Sequence, residues 1–386
     1  MAVLRAVGAI LGGVLVLVTS ASVLRTLVVP GGRAGLVLRG VDRATDAVFR
    51  LVASRTRSAE SRHHLFQAQA PLILALMLLV WLFGYLIAYA LLLWPQTGDV
   101  AAALREAGSS LLTLGFAATR EGGATVIDFL AGATGLVVVA LQIAYLPTLY
   151  SSFNRRETEV TLIGVRAGHP PWGPELLARN QMGSTLEDLP EFYRQWERWA
   201  ADVAESHASY PILLRFRSPD PRSSWLIALL AVMDSAAMLH ASAPTRTPLQ
   251  ARLSLRMGID CLRQLATTIG FPFDEDPRPD DPIQLTREEF DDGIARLSEV
   301  GFAMERDADD AWRHFRGWRV NYESVAYGLA LAIDAVPARW SGPRRGSASL
   351  PAQGRFVNRT PDNPEGTMGP FARPTTPQDP GGEGLR

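Results

Sequence analysis

The chain has 386 residues and a formal net charge of −1, with 47% hydrophobic and 20% charged residues. Charge this close to balance supplies no bulk field for a nucleic-acid partner. One cysteine, Cys261, excludes an internal disulfide framework and a cysteine-based zinc site. The averages hide an asymmetry: apolar residues gather in three uncharged runs before residue 155, which excludes a purely soluble enzyme, a secreted disulfide scaffold and a repeat solenoid.

The first run, Ala6–Leu24, has 19 residues, and the second and third, Ala70–Trp94 and Phe129–Phe153, have 25 each. About 20 apolar residues cross roughly 30 Å of hydrocarbon, so each run predicts a spanning helix. Trp81, Tyr85, Trp94 and Tyr150 include candidates for interfacial anchors. The first run reads as a retained anchor; the alternative is a cleaved secretory signal, with Arg5 at its start and Ser20-Ala21-Ser22 near the cut. Residues 30–69 carry seven arginines (Arg33, Arg39, Arg43, Arg50, Arg55, Arg57, Arg62), residues 95–123 carry two, and Arg155 and Arg156 follow the third run. The positive-inside rule then predicts a multi-pass protein of the cell membrane. Its N-terminus and residues 95–123 lie outside; residues 30–69 and 155–386 are cytoplasmic. Between the first two runs, Leu36–Val52 carries an apolar helical stripe with Arg39, Arg43 and Arg50 elsewhere, which suits a helix in the inner membrane interface.

The outer loop holds the informative residues. Val100–Leu112 reads as a helix too short to cross, followed by Thr113-Leu114-Gly115-Phe116-Ala117 and polar, glycine-rich residues to Gly123. Irregular backbone at membrane depth requires burial in protein or a wet cavity. A row of backbone carbonyls can replace the hydration shell of an ion, and Gly115 permits the positive φ such a turn demands. The negative end of the preceding helix dipole would favour a cation.

Over about residues 65–160 the sequence resembles the pore domain of bacterial potassium channels; the potassium-channel filter reads T-V-G-Y-G, with a T-[ILV]-G-F-G form in some two-pore-domain channels. Thr113, Leu114, Gly115 and Phe116 match that pattern. The resemblance implies that the carbonyls of Thr113–Phe116 and the Thr113 hydroxyl line the ion path, with Ala117 closing the filter. It also implies a gating hinge at Gly132 or Gly135, potassium as the transported ion rather than a cofactor, and a homotetramer, since one loop cannot enclose a path. The stretch Tyr145–Glu157 is similar to inner-helix ends of bacterial pore-domain proteins. Three positions depart: Ala117 stands for the final filter glycine, Ala118 for the usual aspartate, and Leu112 for a hydroxyl residue. A non-glycine residue in left-handed geometry costs roughly 1–2 kcal/mol, so these departures leave a cation path open and weaken the case for strict potassium selectivity. No helix carries arginine at every third position, so a voltage sensor of that kind is not expected.

Residues 155–340 show helical periodicity, with helices expected at Leu186–Ser206, Ser223–His240, Pro248–Thr268, Arg287–Val300 and Ala308–Val336. Thr286 and Glu289 form a capping box for the fourth. Trp225–Met238 is apolar enough to suggest another span, but Asp234 near its centre would cost about 2.5–3.5 kcal/mol in a bilayer, so a buried core helix is preferred. No G-x-G-x-x-G follows a strand, which argues against a Rossmann-type nucleotide domain. Asp274–Asp281 lacks EF-hand spacing and reads as a solvated loop. The six histidines are scattered, without metal-ligand spacing. Trp312, Phe315, Trp318 and Tyr322 fit helix packing better than a ligand cage. Asn358-Arg359-Thr360 matches a glycosylation sequon that carries no meaning on a cytoplasmic side. Residues 341–386, rich in Pro, Gly, Ser and Thr, read as disordered.

The expectation is an all-α membrane protein: an anchor (1–29), an interfacial segment (30–66), a two-helix pore domain (67–156) with a pore loop (100–120), a cytoplasmic helical domain (157–340) and a tail (341–386). Its expected function is a homotetrameric cation channel conducting potassium through a filter at Thr113–Ala117, with potassium or other monovalent cations and the lipid bilayer, not nucleic acid, as partners. No nucleophile–base pair or metal cluster suggests an enzyme. The alternative is a non-conducting membrane sensor or scaffold whose cytoplasmic domain binds a partner.

Overall fold

The computed structural model describes residues 2–29, 35–56, 58–117, 122–182, 186–343, 358–360 and 363–367. The described chain is almost wholly helical. In order the helices are α1 (Ala2–Leu27), α2 (Leu36–Ala53), α3 (Ala59–Gln67), α4 (Gln69–Thr97), α5 (Val100–Leu111), α6 (Gly122–Ala167), α7 (Gly173–Met182), α8 (Leu189–Ser209), α9 (Trp225–Ser242), α10 (Leu249–Ile269), α11 (Arg287–Glu299), α12 (Ala308–Arg319) and α13 (Glu323–Ala332). The tail was expected to be without structure, and most of it lies outside the described residues. Within it, β1 (Asn358–Thr360) pairs antiparallel with β2 (Asn363–Thr367).

The helices sort into two packed clusters. One gathers α1, α4, α5 and the first half of α6; the other gathers the second half of α6 with α7–α13. Among the described residues four helical stretches are long and apolar enough to cross a membrane: α1, α3 with α4, α6 and α9. Their surfaces differ. Leu17 of α1, Phe83 of α4 and Phe129 of α6 are 71%, 64% and 75% exposed, whereas α9 carries no exposed large apolar side chain. The first three therefore present the apolar belt of a membrane protein, and α9 is the centre of the second cluster. Asp234 of α9, 1% exposed, is paired with Arg319 and accepts from Tyr322 Oη at 2.8 Å. A paired carboxylate belongs inside a folded domain.

α1 lies along α4. Gly8 and Gly12, one turn apart, let it come close: a methyl on Gly12 would sit 2.6 Å from the Ala88 carbonyl oxygen. Arg5 Nη2 donates to Gly98 O at 2.7 Å, and Trp81 Nε1 donates to Ser22 Oγ at 3.2 Å. The start of α1 thus meets the end of α4, so the two run antiparallel.

Several boundaries depart from the sequence expectation. The third apolar run does not end a helix at Arg155: α6 is 46 residues long in all, about 69 Å at 1.5 Å per residue, and carries the run directly into the second cluster. It continues because Arg156 is not solvated. Its guanidinium donates to Leu213 O at 3.0 Å and Phe216 O at 2.8 Å, and pairs with Glu157. α7 was not anticipated, since Pro170-Pro171-Trp172-Gly173-Pro174 reads as a turn; proline in a first turn loses no hydrogen bond. The single helix expected over Ala308–Val336 divides into α12 and α13. Asn321 Nδ2 donates to the Gly317 and Trp318 carbonyls at 3.0 and 3.1 Å, closing α12, and Glu323 accepts from the backbone N–H of Gln284 and, at 3.0 Å, of Leu285. α11 starts with the capping box of Thr286 and Glu289, as its sequence predicts.

α2 and α3 are not a free-standing segment. Arg215 donates to Asp42 at 2.8 and 2.9 Å and to Asp46 at 3.0 Å. Arg62 pairs with Asp334 at 2.7 Å, and Arg50 Nη2 donates to Ala332 O at 2.9 Å. These contacts put residues 35–67 and the second cluster at one and the same end of α4 and of the apolar half of α6.

Candidate functional site

The site is built by a helix that enters the bundle and stops. Gly98, at φ 75°, ends α4, and the Asp99 side chain accepts from Ala102 N at 2.9 Å, starting α5 at once. α5 then runs down between α4 and α6. Its far end meets α6 at Gly132 and Gly135: a methyl on Gly132 would lie 3.3 Å from Ser110 O, and one on Gly135 would collide with Leu111 O. Gly135 is 13 residues past the start of α6, about 20 Å along it. Leu111 and Leu112 also line an open apolar groove of about 520 Å³ with Leu76, Leu79, Leu82, Phe83 and Leu86. Those α4 residues straddle the middle of the run Ala70–Trp94, so α5 ends halfway down the apolar bundle.

The backbone after α5 folds around Ser109, which is fully buried. Ser109 O accepts from Leu114 N at 2.8 Å and Gly115 N at 3.4 Å; Ser109 Oγ accepts from Phe116 N and Ala117 N, both at 3.0 Å. Four successive N–H groups therefore converge on one residue. In a trans peptide the carbonyl points opposite to the following N–H, so the carbonyls of Thr113, Leu114, Gly115 and Phe116 are turned away from α5. Among the described residues none of these four oxygens accepts a hydrogen bond. The turn needs positive φ at Thr113 (57°) and Gly115 (71°). Glycine adopts this freely; a β-branched threonine does so at a cost of roughly 1–2 kcal/mol. The Thr113 hydroxyl donates to Leu112 O at 2.8 Å, and Leu114 and Phe116 are 60% and 57% exposed in the single chain.

The residues anticipated from sequence, Thr113–Ala117 and Gly132 with Gly135, are thus brought into one place. The two glycines form the seat for the last carbonyls of α5 on an unbroken α6. Ala118 lies outside the described residues. Five neighbours were not anticipated. Ser109 anchors the loop. Ser110 Oγ donates to Asp128 Oδ1 at 2.6 Å, and Glu106, 4% exposed, hydrogen-bonds the same carboxyl, tying α5 to α6. Arg105 lies over the Phe116 ring, 5.5 Å from its centroid. Hydroxyl residues at 109 and 110, in the last turn before a glycine-bearing loop, were the legible signal. Asp128, at the edge of the third run, was another.

Electrostatics are concentrated at the opposite end, where α2, α3 and the second cluster join. Burial lowers the affinity of Arg215 for its proton, but Asp42 and Asp46 more than compensate and hold it above its ordinary value. Arg217 is pulled down to about 10 by burial, with Asp334 opposing and Arg62 adding to the shift; its guanidinium lies 4.7 Å from the Phe66 ring centroid. The His207 imidazole is held well below its usual value by burial and then by Arg156, whose Nη1 donates to Nε2 at 3.0 Å. Among the described residues no three His, Cys, Asp or Glu side chains gather into a metal-holding group.

Comparison with protein-family models, with curated proteins and with solved structures finds no match to this chain.

Proposed function

We propose that residues 113–117 line a cation-conducting path, formed around the common axis of a homotetramer in a cell membrane. One observation carries this reading. The N–H groups of residues 114–117 are gathered by Ser109, which leaves four consecutive carbonyls turned outward and, among the described residues, unbonded, half-way down an apolar bundle. Unbonded carbonyls at that depth are costly unless something polar meets them, and a dehydrated monovalent cation is such a partner. The similarity of Thr113-Leu114-Gly115-Phe116 to potassium-channel filters supports the same assignment, with potassium the leading cargo. One loop offers one quarter of a ring, so the path needs copies. In this reading α1, α4 and the apolar half of α6 cross the bilayer, with residues 95–123 outside and α2, α3 and the second cluster in the cytoplasm. The contacts of Arg215, Arg62 and Arg50 support a shared side for those last three. Gly132 and Gly135 would couple any bending of α6 directly to the loop, because they bear its supporting helix.

The test is cation flux into liposomes holding the purified chain. Wild type should leak potassium in a barium-sensitive way. Gly115→Pro should not, because proline fixes φ near −65° and removes the Gly115 N–H. Equal leakage from both would overturn the proposal. Arg105 beside Phe116 favours a second reading, a non-conducting sensor or scaffold, because a guanidinium next to the loop opposes cation entry. Absence of flux with intact binding of a cytoplasmic partner would select it.

A further inference from the structure

α2 has three faces, and two are accounted for. Leu38, Phe49 and Ala53 are buried against α3 and α4, with the Phe49 and Phe66 rings 5.9 Å apart. Asp42 and Asp46 are committed to Arg215 and Arg50 of the junction. The third face is open. Val48, Leu51 and Val52 on it are 58%, 59% and 44% exposed; exposed Arg39 and Arg43 line its edge toward Asp46, and exposed Arg55 follows its C-terminal end. Among the described residues none of these three arginines has an ion pair, and the open face holds no acidic side chain.

The helix is also pinned in depth. Gly35, before its first turn, lies against Thr26 at the end of the apolar run of α1. Gln69 Nε2, at the start of the apolar run of α4, donates to Asp46 at 3.2 Å. The first turn and the middle of α2 are thus held level with the place where the apolar belts of α1 and α4 stop. A face of exposed valine and leucine rimmed by unpaired arginine, held at that level, is complementary to one surface: acyl chains beneath anionic headgroups. A zwitterionic surface would satisfy the apolar residues but attract the arginines more weakly, because its own ammonium groups offset the charge of its phosphates.

We infer that the open face of α2 binds anionic phospholipid, with Arg39 and Arg43 on the headgroup phosphate and Val48, Leu51 and Val52 in the acyl region. Because Asp42 and Asp46 on the same helix hold Arg215, the bound lipid and the second cluster are joined through one rigid element. The inference rests on α1 and α4 crossing the bilayer; it does not require that the chain conduct.

The experiment uses the full chain in nanodiscs of mixed phosphatidylglycerol and phosphatidylcholine, with a bimane on Ala47→Cys, an exposed position between Arg43 and Leu51. Cys261 is fully buried, so the parent chain is the control for unwanted labelling. Bromine is placed on one lipid and then on the other at constant overall composition. Both brominated lipids should quench, and the phosphatidylglycerol arm at least about twofold more strongly, since each arginine near the surface attracts anionic lipid. Arg39→Gln with Arg43→Gln should equalise the arms while quenching persists. No quenching from either lipid, as when another protein covers the face, would overturn the inference. So would equal quenching by the two lipids in labelled Ala47→Cys, or a phosphatidylglycerol excess that survives the double substitution. Liposome flux is read separately, so loss of conduction and loss of lipid selectivity are distinguishable.

Discussion

Removing the Ser109 hydroxyl isolates the feature on which the site depends. In Ser109→Ala the backbone carbonyl of residue 109 still accepts from Leu114 and Gly115, so the first half of the turn is kept. The bonds lost are those from Phe116 N and Ala117 N, each 3.0 Å in the wild type. At about 0.5–1.5 kcal/mol net per bond, the ordered loop loses about 1–3 kcal/mol relative to open conformations. At 1.4 kcal/mol per decade that is about a 5- to 150-fold shift in population. α5 retains its Asp99 cap and its seat on α6, so global unfolding should move little. Hydrogen exchange in detergent micelles reads the effect at the two amides: protection of Phe116 and Ala117 should fall by that factor, with protection in α4 and α6 unchanged. Cation flux into liposomes should fall with it. Unaltered exchange at both amides would refute the anchoring role of Ser109, and lost protection with undiminished flux would refute the link between loop order and conduction.

Gly135→Ala should destabilise the bundle by about 1–3 kcal/mol in thermal unfolding, because its methyl collides with Leu111 O; Gly132→Ala, with 3.3 Å to Ser110 O, should cost less. Arg215→Gln should cost about 2–3 kcal/mol, below a fully buried pair because its carboxylate partners are partly exposed; it should also expose residues 36–67 to limited proteolysis. His207 sits folded with its pKa well below the ordinary 6.5. Above pH 6.5 it is neutral in both states and contributes nothing to pH dependence; below 6.5 the unfolded chain takes a proton that the folded chain refuses. Stability should therefore fall as pH drops below 6.5, and His207→Gln should flatten that fall by up to about 1.4 kcal/mol per pH unit.

What the sequence disclosed followed from periodicity and punctuation. The apolar runs, the short helix before Thr113 and the capping box at Thr286 are local patterns, and each helix formed where its pattern lies. Asp234 inside an apolar run signalled a core helix, because a lone carboxylate is costlier in lipid than in a folded domain. Its partner Arg319, 85 residues away, could not be read, since spacing carries no information about tertiary pairing. The same limit hid the continuation of α6 through Arg156, whose partners lie on residues 207–216. It also hid part of what divides α12 from α13: Asn321 closes α12 on local carbonyls, but Glu323 meets the distant backbone of Gln284 and Leu285. At the candidate site, Thr113–Ala117 were legible as a motif, while the anchoring of four N–H groups by Ser109 was not. Gly132 and Gly135 were expected as a hinge; whatever they do for α6, the contact they make is with the end of α5. Small residues in a helix permit either bending or close approach, and only the neighbour distinguishes the two.

The most direct test of conduction is single-channel recording from the purified full-length chain in planar bilayers, under opposed potassium and sodium gradients. Discrete current steps, stopped by barium and reversing on the cation side, are the predicted result, with the reversal potential reporting how far Ala117 relaxes selectivity. A membrane no more conductive than one without protein, or steps that persist unchanged in Gly115→Pro, would contradict it.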